Sequence, residues 1–238
     1  MSVAQETRNF IENIEPAKLF TYDDIPNKKK SAVAIELSRL YKEGVIKKVS
    51  KGKFYKPAQR SFGEIEPSNN DKISSYLKNV PDISYETGLN SFRKLGLTTQ
   101  VANVITIASS KPYRQVQIDN IKLKFVSKKV DAPDEDIYLI QILDALKDIK
   151  KIPGTSPNDA LLYIKNILKK ESESNLKKVA HYALKYPPRT RALLGAILKE
   201  FKLWQESFML KETLNPFTTF KIGIDENTLN SKKYWNIK

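Results

Sequence analysis

Between Lys28 and Tyr55 the sequence sets out side chains able to grip a polyanion. Lys28, Lys29, Ser31, Ala32, Ile35, Ser38, Arg39 and Lys42 recur at the spacing of one helical face, and Lys51, Lys53 and Tyr55 follow around the short run "SKGK". Ammonium and guanidinium groups pair with phosphates, hydroxyls bond phosphates or base edges, and an arginine can fork onto a guanine. Small or apolar members, Ala32 and Ile35, suit close approach to a groove and contact with thymine methyls. Lysines near a helix start add charge where free amides already favour phosphate. Tyr55 could pack on sugar and backbone. This is binding chemistry, aimed at duplex DNA. Two plainer readings stand beside it: Ile35 packs on a neighbouring element, and "SKGK" is an ordinary solvated turn.

The charge distribution points the same way. The 238 residues carry a net charge of +14, and it is unevenly spread. Residues 1–26 hold two basic and five acidic side chains, whereas residues 27–60 hold eleven basic and two acidic. The other 178 residues carry a net +8, less than the +9 of that 34-residue window. So concentrated a field suits nucleic acid first and an anionic membrane surface second. A solvated lysine-rich face is the bland alternative. There is no apolar run long enough to span a membrane, the acidic N-terminus lacks the pattern of a signal peptide, and there is no cysteine. A cytoplasmic protein is expected.

The elements that must position these residues can be read locally. Val3 to Ile14 has the pattern of a first helix. "LFTYDDIP" reads as a short second one, with Thr21 and Asp24 as its capping pair and Pro26 at its end. Asn27 can cap a third helix from Lys28 to about Glu43, stopped by Gly44. On its wheel Val33, Ala34, Leu37, Leu40 and Tyr41 form the core stripe. "VIKKV" and "KFYKP" then read as strands of a hairpin pinned by Ile46, Val49 and Phe54. Three helices and a hairpin within residues 1–60 match a winged helix-turn-helix.

Residues 61–238 read as a larger, mixed α/β but mainly helical domain, so the expected class is α+β. Asn70 or Asp71 can cap a helix to Leu77, a short helix lies near Leu89 to Leu95, and "NVITIAS" looks like a buried strand. "RQVQIDNIKLKFV" alternates about Asp119-Asn120 as a hairpin does. Helices follow over Glu135–Ile149, Pro157–Lys170 (opened by Ser156 and Asp159), Asn175–Lys185 and Pro188–Phe201. From about residue 202 no element is assigned beyond an edge strand.

Nothing reads as catalytic. The single His181 lies in a helical run without a metal-ligand partner at a recognisable spacing, and is taken as structural. There is no phosphate-cradling glycine loop, zinc pattern or glycine-framed serine. No catalytic residue, metal or cofactor is expected. In "YPPRTRALLGA", Arg189 and Arg191 sit in a first helical turn, where positive charge opposes the helix dipole at a cost of up to about 1 kcal/mol each. An acidic side chain of the same protein would offset this, as would a phosphate or an acidic partner.

The stretches "YETGLNSFRKLGLTTQV", "LIQILDALKDIKKIPG" and "YPPRTRALLGAILKE" resemble the AbiE-type (AbiEi-like) abortive-infection antitoxins of bacteria, and "ELSRLYKEGVIKKVSKGKFYKP" resembles their winged-helix end. The similarity covers about residues 10 to 201. It implies an N-terminal winged helix that binds the promoter of its own operon, with the DNA contacts on the third helix and wing tip; repeated operator half-sites would be natural for a winged helix. It also implies a C-terminal domain that neutralises a nucleotidyltransferase-like toxin in phage defence. Whether the toxin is bound directly stays open. The transferase's own glycine-serine and paired-aspartate pattern is missing here, in keeping with the antitoxin side of the pair. Two other readings remain: a transcriptional regulator of a mobile element without antitoxin activity, and a nucleic-acid-processing enzyme with an unrecognised carboxylate site.

Overall fold

The computed structural model describes residues 2–27, 29–60, 63–77, 84–110 and 114–238. Contacts gather the chain into two units, residues 1–81 with 116–122 and residues 82–115 with 123–238. Both mix helices and strands, and the fold is α+β with several sheets.

The first unit opens with α1 (Val3–Asn13), whose first turn is closed by Ser2 Oγ accepting from the Gln5 amide. The stretch "LFTYDDIP", expected to form the second helix, is only partly helical. Leu19–Thr21 is a strand, β1, and only Tyr22–Asp24 is helical, as one 3-10 turn. The Thr21–Asp24 capping box is present, with the Thr21 amide 2.7 Å from Asp24 Oδ2. Local signals thus placed the turn correctly but missed the strand, which needs a distant partner. After α2 (Lys30–Lys42) and Gly44, at φ +76°, come β2 (Lys47–Ser50) and β3 (Lys53–Tyr55). β1 pairs antiparallel with β3, Phe20 opposite Phe54, and the sheet order is β1-β3-β2. Phe20 sits between Phe10 and Phe54, at ring distances of 5.6 and 6.0 Å. Ile11, Ile25, Val33, Leu37, Leu40 and Ile46 complete this core.

β4 (Ala58–Arg60) pairs with β5 (Gly63–Ile65), and α3 (Asn69–Leu77) follows. Ser68 caps α3, its Oγ 3.2 Å from the Asp71 amide, in place of the expected Asn70 or Asp71. These elements belong to the first unit, beyond the division expected at residue 60. Glu64 of β5 pairs with Lys47 of β2 at 2.7 Å, which ties the added hairpin to the sheet.

The second unit begins with β6 (Tyr85–Thr87) and α4 (Leu89–Lys94), followed by β7 (Val104–Ser109). β8 (Arg114–Ile118) and β9 (Ile121–Ser127) form the expected hairpin, whose residues 116–122 group with the first unit, with Asp119 at φ 52° in its turn, and the four strands order as β6-β7-β9-β8. Then come α5 (Ile137–Lys147), α6 (Pro157–Leu168), α7 (Glu173–Ala183), α8 (Pro188–Glu200) and α9 (Trp204–Glu212). Ser156 caps α6 as expected, accepting from the Asp159 amide at 3.1 Å. α8 is buried along nearly its whole length, which its apolar run Ala192–Leu198 requires. His181 lies exposed on α7.

The tail, read from sequence as no more than an edge strand, forms no strand beyond one isolated bridge but is well anchored. Trp235 is fully buried, and a Cβ on Gly195 of α8 would collide with its ring atoms Cη2, Cζ3 and Cζ2. Only a glycine leaves room for the indole there. Phe220 and Ile237 form a parallel bridge. Among the described residues no helix is long and apolar enough to cross a membrane.

Asp136, buried just before α5, accepts from Lys178 Nζ at 2.8 Å and from the Tyr182 hydroxyl at 2.6 Å. Those two hydrogen bonds hold its carboxyl below the usual aspartate value, while the bond to Asp136 and burial push the Tyr182 phenol up to about 12. A lowered folded-state pKa adds stability that is present above the unfolded value, about 3.9, and disappears as pH falls through the folded one. Asp136→Asn is therefore expected to be less stable than the parent at neutral pH, with the gap closing under acid. Urea unfolding of both proteins across that range checks it, and a gap independent of pH would refute it.

Candidate nucleic-acid interface

The basic helix is α2. Its start is set by Asn27, whose Oδ1 accepts from the Lys29 amide at 2.8 Å, two residues on, while its Nδ2 donates to Glu6 of α1. The helix begins at Lys30, with Lys29 at the cap and exposed, whereas Lys28 lies outside the described residues. Asn27 therefore supports the turn before the helix and does not cap the helix itself.

Val33, Leu37 and Leu40 are buried as the wheel requires, but the rest of the stripe is corrected. Tyr41 is 50% exposed, Ala34 is only half-buried, and Glu36 is buried at 3% in the inward arc. Glu36 tolerates this because Arg8 of α1 donates Nε to its Oε1 at 2.8 Å, and Arg39 stands 3.5 Å from Oε2. A buried carboxylate paired and hydrogen-bonded in this way avoids most of the cost of leaving water. Its partner lies 28 residues away, beyond the reach of any local pattern.

The outward face keeps the expected residues. Ser31, Ile35, Ser38, Arg39 and Lys42 are exposed, and Ala32 is half-buried. Ile35, at 58% exposure, does not pack into a neighbouring element.

The hairpin tip is Lys51-Gly52. Gly52 has φ +76°, the left-handed region that favours glycine, and a Cβ there would sit tightly, 3.2 Å from Tyr22 Cε2. Lys51 is exposed at this tip. Lys53 and Tyr55, expected to reach DNA, are corrected: both are buried, at 6% and 4%. β3 is the central strand of its sheet, covered on both faces. Phe54 enters the core of the head on one side. On the other, Lys53 donates to the Ser75 carbonyl of α3 and lies 5.9 Å from the Tyr76 ring. Tyr55 donates to Glu64 Oε1 at 3.4 Å, and burial, with the charges of Glu66 and Glu64, pushes its phenol up to about 12. Neither side chain is presented to a ligand.

One cation was missed. Lys48 is exposed on β2, next to the tip. The alternation of "VIKKV" left Lys47 and Lys48 equivalent. The structure separates them, because Lys47 is engaged by Glu64.

Arg189 and Arg191 lie in the second unit. Arg189 Nη2 donates to the Lys147 carbonyl, at the end of α5, at 2.8 Å. Its charge therefore sits at one helix C-terminus, where the dipole favours it, which offsets its place at the start of another. A backbone carbonyl thus meets this guanidinium, where an acidic side chain, a phosphate or an acidic partner were the readings from sequence. Arg191 is half-buried, with a Nε that has no hydrogen-bond partner. Among the described residues no group of three or more histidines or carboxylates could hold a metal ion.

A compact head with an exposed basic helix face and a lysine-tipped hairpin, followed in sequence by a helix-rich unit, describes a two-unit α+β protein with one candidate polyanion-binding end. The chain belongs to the family of unknown function DUF6088, whose model matches residues 10–176. No curated protein matches it. Among solved structures it is similar to one described as the crystal structure of RV2827C protein from Mycobacterium tuberculosis. That likeness has a TM-score of 0.56 at 9% identity, and covers 98% of this chain and 90% of that one. At such low identity it bears on the fold alone.

Proposed function

We propose that the first unit is a winged helix-turn-helix that binds duplex operator DNA, and that the whole chain is an antitoxin and autorepressor. The observation that carries the DNA reading is the outward face of α2. It leaves Ser31, Ile35, Ser38, Arg39 and Lys42 exposed opposite a packed core, beside a hairpin whose tip holds out Lys51. The order helix, strand, short helix, helix, strand, strand supports the same assignment. In this reading α2 is the recognition helix and β2–β3 is the wing, with Lys48 and Lys51 on phosphates. The antitoxin part rests on the resemblance to AbiE-type proteins, and it assigns neutralisation of a nucleotidyltransferase-like toxin to the second unit. No enzymatic role is included.

The test is co-expression of the full chain, from an independent promoter, with the protein encoded beside it, together with gel-shift assays on the DNA upstream of the pair. Growth rescue and a specific shift are expected. A shift without rescue leaves a plain regulator, and rescue without a shift removes the operator role. If the head neutralises about five phosphates, log affinity should fall with log salt at a slope of about −4 to −5. The pair Lys48→Ala and Lys51→Ala should weaken all duplexes alike and shallow that slope by about 2. An unchanged slope would rule out the wing contact.

A further inference from the structure

The second unit carries a surface the operator reading does not use. α9 turns Trp204 and Phe208, one helical turn apart, out to solvent at 60% and 61% exposure, and Tyr234 stands beside them at 53%. Rings of this size left in water call for a reason when they cluster. The three line a groove of about 420 Å³ with Lys199, Lys211 and Gln205. Its floor is firm, because Ser207 Oγ donates to the Gly195 carbonyl of α8 at 2.9 Å and so fastens α9 down.

The two lysines are unusual in their surroundings. Lys199 Nζ lies 3.5 Å from the centre of the Tyr234 ring and Lys211 Nζ lies 4.7 Å from it. Lys211 also donates to the Tyr234 carbonyl at 2.6 Å. Among the described residues no carboxylate pairs with either ammonium. Burial, and the like charge of Lys199, hold the Lys211 ammonium below its usual pKa. Two cations are thus kept together at the edge of an aromatic groove without a counter-ion.

We propose that this groove binds a nucleobase together with its phosphate, the base stacked on Trp204 or Phe208 and the phosphate between Lys199 and Lys211. Aromatic faces and positive charge side by side are the composition of sites for unpaired nucleic acid. A protein partner is the weaker match, since lysine is depleted from the centre of protein interfaces. A purely apolar partner would strip water from both ammoniums and return nothing. The base and phosphate could come from a free nucleoside phosphate or from an unpaired strand. The inference stands apart from the operator reading, which concerns the first unit and duplex DNA.

The groove holds its own reporter. Of the two tryptophans, Trp204 is exposed and Trp235 is fully buried, so quenching by an added ligand reads Trp204. The full chain is titrated with ATP, with an oligothymidylate, with tripolyphosphate and with a glutamate- and leucine-rich peptide. Saturable quenching by ATP or the oligothymidylate is expected, and little by the other two. Quenching by ATP identifies the free nucleotide as a source, and quenching by the oligothymidylate alone identifies the unpaired strand. Phe208→Ala, and separately Lys199→Gln with Lys211→Gln, should each weaken binding about tenfold, as loss of one stacked base or its phosphate contact predicts. Phe208 is exposed and the two lysines are half-buried, and unaltered melting temperatures would show the fold intact. Duplex binding by these variants should stay at the parent level, which separates failure here from failure of the operator reading. Equal quenching by tripolyphosphate, quenching by the peptide alone, or unchanged affinity in both variants would each overturn the proposal.

Discussion

Arg39→Ala is expected to weaken binding to the operator by about 1–3 kcal/mol and to relax base preference, while leaving the fold stable. The argument starts from exposure. The Arg39 side chain is 66% exposed on the outward face of α2, so the change opens no cavity. Among the described residues its one ion pair is a loose contact of 3.5 Å to Glu36, which keeps its closer partner, Arg8 Nε, at 2.8 Å. An exposed pair of that kind contributes little to stability. A fork onto a guanine, by contrast, loses both hydrogen bonds on truncation. Gel-shift titrations on the operator and on a scrambled duplex of equal length provide the measurement, with urea unfolding as the control. The recognition-helix assignment fails if specific and scrambled affinities both match the parent. Arg8→Ala makes the informative opposite. It should lower stability, because it removes the main partner of a buried carboxylate, and leave sequence preference intact in whatever protein remains folded.

Asp144→Ala should cost about 3–5 kcal/mol of stability, the range seen when one member of a buried charged network is removed. Asp144 is 1% exposed on α5 and meets four side chains. Its Oδ2 accepts from Thr87 at 2.6 Å and Tyr85 at 3.3 Å, and its Oδ1 from Lys147 at 2.9 Å and Tyr186 at 3.0 Å. One carboxylate thus fastens β6, α5 and the chain entering α8. Burial and the neighbouring negative charge raise the phenols of Tyr85 and Tyr186 well above their usual value, so both remain donors. Burial alone would lower the Lys147 pKa, but the charge and hydrogen bond of Asp144 outweigh it and the ammonium is retained. Truncation would take the acceptor from the Thr87 and Tyr85 hydroxyls, while Tyr186 keeps the Ile140 carbonyl at 3.5 Å and Lys147 keeps Asp148 at 3.4 Å. The shift in urea midpoint, at unchanged slope, reads the loss. A cost below about 1 kcal/mol would mean that water replaces the carboxylate and that the network does not hold the unit together.

What the sequence determined by itself was whatever depends on a few adjacent residues. Ser156 and Asp159 close a helix start, Thr21 and Asp24 close a turn, Asp119-Asn120 reverses a hairpin, and Gly44 and Gly52 take positive φ. These are short-range bonds or single dihedrals, and they hold whatever the rest of the chain does. The outward face of α2 was legible for the same reason, because helical periodicity alone separates Ser31, Ile35, Ser38 and Arg39 from Val33, Leu37 and Leu40. Tertiary structure decided everything that needs a remote partner. Leu19–Thr21 became a strand because β3 offered it a ladder, a partner that the local capping pair at Thr21 and Asp24 says nothing about. Glu36 went inside because Arg8 was there to meet it, and Tyr41 was left outside. Lys53 and Tyr55 turned away from the wing surface because α3 and Glu64 cover that side of the sheet. α9 and the tail carried no strong periodic signal, and they found their places through Trp235 against Gly195. A charged or amphipathic side chain takes its environment from what folds over it, and that is a property of the assembled chain, not of its neighbours in sequence.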